Sequence, residues 1–278
     1  MTGPVITDAP APLIDLMRTV PRWLVLTGAG MSTASGIPDY RDADGAWKRQ
    51  QPMTGQAFRA SPARRQRYWA GSFSGWPRVA AAAPNAAHRA LAALEAAGCV
   101  AGVVTQNVDR LHQRAGSRRV VDLHGRLDRL ICLDCGGRYA RTAFQQRLAA
   151  ANPDLSAADA QAAPDGDSPV AAARSQRFNV PDCRRCGGVL KPDVVFFGEN
   201  VPRRRVARVR RWLADADGLL VVGSSLMIWS GLRFVRAAHA AGQPLAAVNL
   251  GRTRADDLFD LRLTADCTAA LPAVAAAL

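Results

Sequence analysis

The stretch that most constrains this chain is Trp23-Leu-Val-Leu-Thr-Gly-Ala-Gly-Met-Ser-Thr-Ala-Ser-Gly-Ile-Pro-Asp-Tyr-Arg41. A short apolar run, Trp23 to Leu26, breaks abruptly into Gly28-Ala29-Gly30 and then into small hydroxylated residues. This is the pattern of a buried parallel strand feeding a helix N-terminus, where free backbone N–H groups and the helix dipole favour a phosphate. Glycine would allow close approach of the backbone to a pyrophosphate. The dinucleotide fingerprint G-x-G-x-x-G is incomplete, because Thr33 stands at its third glycine. Lys48 to Gln56 supplies neither the acid nor the second strand that would grip a ribose. The stretch therefore reads as a nucleotide-binding turn or a structural turn, and it argues against an ordinary dehydrogenase.

The rest of the chain alternates strand-like and helix-like segments. Strands are expected at 100–105, 120–123, 194–197, 218–222 and 244–250, and helices at 86–97, 142–151, 206–216 and 234–241. The fold class that follows is α/β, a doubly wound, Rossmann-like parallel sheet with a smaller inserted zinc-binding module built on four cysteines. The expected division is an N-terminal arm at 1–20, with Leu13, Leu16 and Met17 as its apolar stripe. A large unit follows, formed by 21–129 and 191–278, with the inserted module at 130–190. Residues 43–67 read as a loop or short helical pieces, and those of 43–85 are candidates to pack with the module. Asn152 to Ser175 reads as a loop.

The net charge of +13 rests almost wholly on arginine, since only Lys48 and Lys191 are lysines. A solvated surface accounts for that charge; attraction to acidic partners, nucleic acid included, is the alternative. The arginines at 203, 204, 205, 208, 210 and 211 cluster without interleaved aromatics, so nucleic acid is not required as a partner. No apolar run approaches the ~18 residues needed to span a bilayer, and the first twenty residues resemble no targeting signal. A cytoplasmic, monomeric protein is expected.

Cys132-Leu-Asp-Cys135-Gly-Gly and Cys183-Arg-Arg-Cys186-Gly-Gly form two knuckle patterns. Two such pairs can complete a tetrahedral four-thiolate site for one structural zinc. Disulfides or a redox pair are the alternatives, disfavoured by the expected compartment and by the duplication. Gln106-Asn107-Val108-Asp109 follows a strand and offers amides and a carboxylate to a ligand, or else forms an Asx turn. Of the four histidines, His88 and His239 lie in helical patterns. His124 follows a strand beside Gly125 and is best placed for general-base work.

Taken together, GAGMSTASGIPDYR (28–41), TQNVDRLH (105–112), LHG (123–125), the two Cys-x-x-Cys pairs, KPDVVFFGE (191–199), GSSL (223–226) and NLG (249–251) resemble the sirtuins, NAD-dependent protein lysine deacylases. The resemblance runs from residue 23 to about 268. It is nearest the class II branch, on TASGIPDYRDADGAWK, QRYWA, CLDCG, APDGD and TRADDL.

The resemblance implies that NAD, as a consumed co-substrate, lies across the C-terminal edge of the sheet. Its pyrophosphate would rest on Gly28, Ala29, Gly30 and Ser224, with Asn249 and Gly251 at the adenosine ribose and Cys267 at the adenine. Ile37, Asp39, Asn107, Val108 and Asp109 would shape the nicotinamide pocket. Ser32, Thr33, Tyr40, Arg41, Trp47, Gln106, Gly223, Ser225 and Leu250 complete the cofactor-binding set. His124 would be the base, with Asn107 also catalytic. Val195, Phe196, Gly198, Leu226 and Ile228 would receive an acyl-lysine protein. Trp229-Ser230 departs from the commoner family pattern, which has a Pro near Ser230. Tyr68 is followed at 71 by Gly, where the succinyl-removing branch has Arg, so succinyl-lysine is expected to be a poor substrate. Protein mono-ADP-ribosylation, or removal of long-chain or lipoyl groups, is the alternative use of the same site.

Overall fold

The computed structural model describes residues 5–48, 52–155 and 175–278. Its central sheet consists of β1 (Val5–Thr7), β2 (Trp23–Thr27), β3 (Val100–Thr105), β4 (Val120–Asp122), β8 (Gly218–Val222), β9 (Leu245–Val248) and β10 (Leu261–Leu263). The order across the sheet is β1-β10-β9-β8-β2-β3-β4, and every pairing is parallel. Strand β2 is buried at all five positions, as a parallel strand covered on both faces must be. Alternation sends Trp23 and Val25 to one core, and Leu24 and Leu26 to another.

The first core is closed by α1 (Ala11–Thr19), α4 (Ala86–Ala96) and α9 (Cys267–Ala277). The second is closed by α7 (Arg203–Ala214) and α8 (Trp229–Ala240). Helix α4 begins at an Asn85 capping box, in which the Asn85 side chain accepts from the His88 N–H and the His88 ring faces the Asn85 N–H. The 5–19 segment is more than an arm. Its strand extends the main sheet through β10, and Leu13 and Met17 are buried in the first core.

A three-stranded antiparallel sheet joins β5 (Gly125–Cys132), β6 (Arg138–Ala140) and β7 (Leu190–Val194) in the order β6-β5-β7. Residues 125–129 and 191–194, expected in the larger unit, therefore pair within this small sheet. The strand expected at 194–197 instead ends at Val194. Helix α6 (Arg141–Ala151) packs here, as the pattern at 142–151 implied. The loop expected at 152–175 lies almost entirely outside the described residues.

Residues 43–67 depart most from expectation. An antiparallel bridge between Arg41 and Trp47 is followed by α2 (Gly55–Ala60) and by α3 (Pro62–Ala81), a helix of 20 residues. Ser61 caps α3 by accepting from the Arg64 N–H, and Pro62 occupies the first turn, where no donor is lost. Tyr68, Trp69, Phe73 and Trp76 are buried against Phe144 and Phe178 of the small module. Pro77 cannot donate to the Phe73 carbonyl, and the Gln145 amide takes that place at 2.8 Å. The neighbouring Ser72 carbonyl accepts from the buried Arg141 guanidinium at 3.0 Å.

Candidate active site

The chain leaves β2 toward β3 on one side and returns through β8 toward β9 on the other, so the sheet's switch point lies between β2 and β8. Open α/β sheets bind ligands at this crevice, beyond the carboxyl ends of the strands. The loops after the two strands are fused. The Gly28 N–H donates to Val222 O at 3.1 Å, and Gly30 N–H donates to Gly223 O at 2.9 Å. A Cβ on Gly28 would lie 2.7 Å from Ser224 Cβ, and one on Gly30 would lie 3.0 Å from Gly223 Cα. In this structure the glycines thus serve loop-to-loop contact. The helix expected after β2 is replaced by two 3₁₀ turns, Ala29–Met31 and Thr33–Ser35. A helix-dipole account of phosphate binding does not apply there.

The loop after β3 is wired into the loop after β2. Asn107 Nδ2 donates to Gly28 O at 2.9 Å and to Ser32 Oγ at 3.0 Å, while Ser32 Oγ donates to Asp109 Oδ2 at 2.7 Å. The other Asp109 oxygen accepts the Leu111 N–H at 2.9 Å, at the start of the single helical turn α5 (Leu111–Arg114). The Asx turn and the pocket contact thus coexist in one carboxylate. Burial raises the Asp109 carboxyl above its usual range, against the opposing pull of the Leu111 and Ser32 hydrogen bonds. Gln106 Nε2 donates to Ser224 Oγ at 2.7 Å, tying the loop after β3 to the loop after β8.

His124 stands between β4 and β5. Its Nδ1 lies 2.9 Å from the Gln106 carbonyl oxygen, which can only accept, so Nδ1 carries the proton and Nε2 holds the free pair. Nε2 lies 2.7 Å from Ser230 Oγ, in the first turn of α8, and that hydroxyl therefore donates to it. Burial lowers the His124 pKa to about 4, with Arg205 adding to the fall and the Gln106 carbonyl opposing it. The imidazole is thus neutral at pH 7, with Nε2 its basic nitrogen once the Ser230 hydroxyl turns away from it.

Gly28, Gly30, Ser32, Gln106, Asn107, Asp109, His124 and Ser224 line a single cavity of about 400 Å³, within the range of small-molecule sites. A hairpin over residues 39–48 covers it, with its tip fastened where Arg252 N–H donates to Ala43 O at 2.9 Å. On the far side Trp47 packs its ring 5.6 Å from that of Phe197, and Arg41 stacks on Trp47 at 3.9 Å. Phe197 belongs to the turn after β7, where Val195 N–H donates to His124 O at 2.7 Å. The hairpin thus spans from the Asn249–Arg252 loop to the 194–199 turn.

Away from the cavity, the sulfurs of Cys132, Cys135, Cys183 and Cys186 all lie within 4.8 Å of one another. The Cys132–Cys186 and Cys135–Cys183 separations are 3.5 and 3.8 Å, against about 3.8 Å expected for a zinc tetrahedron with 2.3 Å bonds. The knuckles are built alike: Cys132 N–H donates to Gly137 O and Cys183 N–H to Gly188 O, at 2.8 and 2.9 Å. The Tyr139 hydroxyl lies 2.9 Å from the Cys183 sulfur, an outer partner of the kind that steadies a thiolate ligand. The donor set fits a structural zinc ion. No other cluster of metal-ligating side chains occurs among the described residues.

The Sir2 family model matches residues 28–230, which include the loops after β2, β3 and β8, His124 and all four cysteines. This chain belongs to the Sir2 family. It is 56% identical over 271 residues to an NAD-dependent protein deacetylase of Xanthomonas campestris pv. campestris (strain 8004), spanning 98% of this chain and 92% of that one. It is also 56% identical over 259 residues to NAD-dependent protein deacetylase 2 of Bradyrhizobium diazoefficiens, covering 93% and 95% of the two chains. Among solved structures, a Sir2 complex with a p53 peptide and NAD+ superposes with a TM-score of 0.77 at 30% identity, over 96% of this chain and 97% of that one. The complex of a Sir2 homologue with NAD gives 0.74 at 28%, over 99% and 95%.

Against this Sir2 frame, the cavity gathers nearly every residue expected of the site. Gly28 to Gly30, Ser32, Thr33, Ile37, Asp39 to Arg41, Trp47, Gln106 to Asp109, His124, Gly223 to Ser225, Asn249 to Gly251 and Cys267 all line it. So do Val195, Phe196, Leu226 and Ile228. Gly198 does not; it sits beyond the lining at a φ of 77°, its carbonyl accepting from Gln56. Met227, within the 226–228 segment expected to meet the substrate backbone, lines the cavity too, and Lys48, Phe197 and Arg252 line it without being among the expected residues. Ser230 differs in sequence only as a departure from the family's proline, and no sequence pattern announces its bond to His124. No helix among the described residues is long and apolar enough to cross a membrane.

Proposed function

We propose that this protein is an NAD-dependent protein lysine deacylase with His124 as its base. One observation carries the assignment of the base. The Gln106 carbonyl fixes the His124 tautomer, so that Nε2 is the basic nitrogen, within the same cavity as Asn107, Asp109 and the Gly28–Gly30 turn. The names of the deacetylases that it matches support the reaction class. The class II placement rests on the sequence motifs alone.

In this reading NAD supplies a ribose carbon from which nicotinamide is displaced by the acyl oxygen of the substrate lysine. Asn107, Ser32 and Asp109, held by their mutual hydrogen bonds, shape the nicotinamide end and exclude bulk water. His124 Nε2 receives the proton of a ribose hydroxyl, which frees that oxygen to attack the transferred acyl group. The substrate backbone adds as a strand between the turn after β7 and residues 226–228. Water finishes the reaction, giving free lysine and O-acyl-ADP-ribose. Zinc held by the four cysteines takes no chemical part, because four protein ligands leave no open position.

The test is turnover of an acetyl-lysine peptide with and without NAD, read by mass spectrometry. Nicotinamide and O-acetyl-ADP-ribose are expected, and His124→Ala should lose turnover while still binding NAD by calorimetry. Undiminished turnover in that variant would sink the assignment of the base. ADP-ribosylated protein as the main product would favour transfer to protein instead.

A further inference from the structure

Although 36 residues of this chain are Lys or Arg, only Lys48 and Lys191 carry a side-chain primary amine. The guanidinium of arginine stays protonated and does not acylate at neutral pH, whereas an amine can. Lys191 is 4% exposed and ion-paired to Glu199 at 3.0 Å. Lys48 is the accessible one, with 46% of its side chain exposed. It lines the cavity mouth, and its Nζ lies 2.6 Å from Asp39 Oδ1. Its own N–H donates to Tyr40 O at 3.0 Å, closing the base of the covering hairpin. The chain's accessible lysine amine thus fastens the segment that covers its own cavity.

We propose that Lys48 is an acylation site for small acyl donors, acyl phosphates or acyl thioesters, and that its acylation turns down the cofactor site. In the step, the neutral fraction of Nζ attacks the donor carbonyl. A C–N bond forms and the C–O or C–S bond breaks; phosphate or thiolate leaves, and the surplus proton goes to water. The product is an uncharged amide. Asp39 then loses this ion pair, and the cavity loses one positive charge from its lining, which makes its field less favourable to the anionic diphosphate of NAD. The hairpin also loses a tie between its two ends. Both changes act in the same direction, toward weaker cofactor binding.

The inference rests on the reading of the cavity as an NAD site, and the experiment separates the two. The zinc-loaded full chain is incubated with acetyl phosphate or acetyl-CoA, without NAD so that the mark cannot be removed. Peptide mapping then places the acetyl groups, and calorimetry measures NAD binding. Acetylation should appear at Lys48 well before Lys191, and the NAD Kd should rise about three- to fivefold. Lys48→Gln should reproduce the weaker binding, while in Lys48→Arg the Kd should no longer respond to the acyl donor. An unmodified Lys48, or a modified chain that binds NAD as tightly as before, overturns the inference. Failure of the untreated protein to bind NAD would instead overturn the site reading on which it rests.

Discussion

Replacing Glu199 by Gln should destabilise this protein more than replacing its partner Lys191 by Met, although each change breaks the same ion pair. Lys191 Nζ lies 3.0 Å from Glu199 Oε2, on the ring face of Phe196 at 4.4 Å, and donates to the Val194 carbonyl. At an effective dielectric of about 20 the pair attracts by about 5 kcal/mol, most of it offset by desolvation. The asymmetry comes from what each partner keeps. Without Lys191, Glu199 still accepts the Phe196 N–H at 3.0 Å and pairs with Arg59 at 3.1 Å, and it is partly solvated. In Glu199→Gln, Lys191 is a buried cation whose partner is a neutral amide, with the Val194 carbonyl and the Phe196 ring beside it. Glu199→Gln should therefore cost about 3 kcal/mol and Lys191→Met about 1 kcal/mol. The double variant should recover most of the difference.

Burial already holds the Lys191 amine below its usual range. In Glu199→Gln the folded-state pKa falls further, so the unfolded chain binds more protons than the folded one as pH rises toward the unfolded lysine value. Stability then increases with pH in that window, and the penalty should shrink as pH rises toward about 10. Urea unfolding of the zinc-loaded chain, followed by circular dichroism at several pH values, measures all of these quantities. A Glu199→Gln penalty no larger than that of Lys191→Met, or one that grows with pH, refutes the reasoning.

Three further outcomes are expected. Metal analysis should find one zinc per chain, and its removal by a chelator should red-shift tryptophan emission, because Trp69 and Trp76 share a core with Cys132 and Cys183. The His88 pKa is lowered to about 4 by burial and, secondarily, by Arg89. Its contribution to stability is complete above about pH 6.5 and is lost as pH falls toward 4, so proton uptake on unfolding between pH 6 and 5 should drop in His88→Gln. Ser230→Ala removes a hydrogen bond to the neutral form of His124, and its pKa should rise by about half a unit to one unit in an NMR titration; no rise would mean that the Ser230 hydroxyl does not act on Nε2.

The strands were legible because burial on both faces leaves near-continuous apolar runs, and Val100–Thr105 and Gly218–Val222 coincide with the expected segments. The cysteines were legible because their ligand pattern is local in sequence. Helix α3 was not. Its buried positions include Gly71, Ser72, Ser74 and Gly75 beside four large aromatics, so burial along it does not follow residue hydrophobicity. Its stability depends on partners far along the chain: Gln145 takes up the Phe73 carbonyl that Pro77 leaves open, and Arg141 adds a bond to the Ser72 carbonyl. Strand β1 was illegible for a similar reason: with three residues, two of them exposed, its only strong signal is the edge of β10 to which it binds.

The same distinction between local and distant causes explains the glycine turn. A missing third glycine suggested damage to a dinucleotide fingerprint, since that glycine permits a helix to pack closely on its strand. Here no α-helix directly follows β2, so Thr33 has no such packing to obstruct; it opens a 3₁₀ turn, and its hydroxyl donates to Gly30 O at 3.0 Å. What fixes the first two glycines is a loop almost 200 residues later: Gly223, at a φ of 58°, lies so close that a Cβ of its own would fall 2.5 Å from Met31 N. The crevice floor is thus two loops pressed together without side chains between them. Any residue larger than glycine at 28, 30 or 223 has to part them, which would shift Gln106 through Ser224 and hence the carbonyl that sets the His124 tautomer.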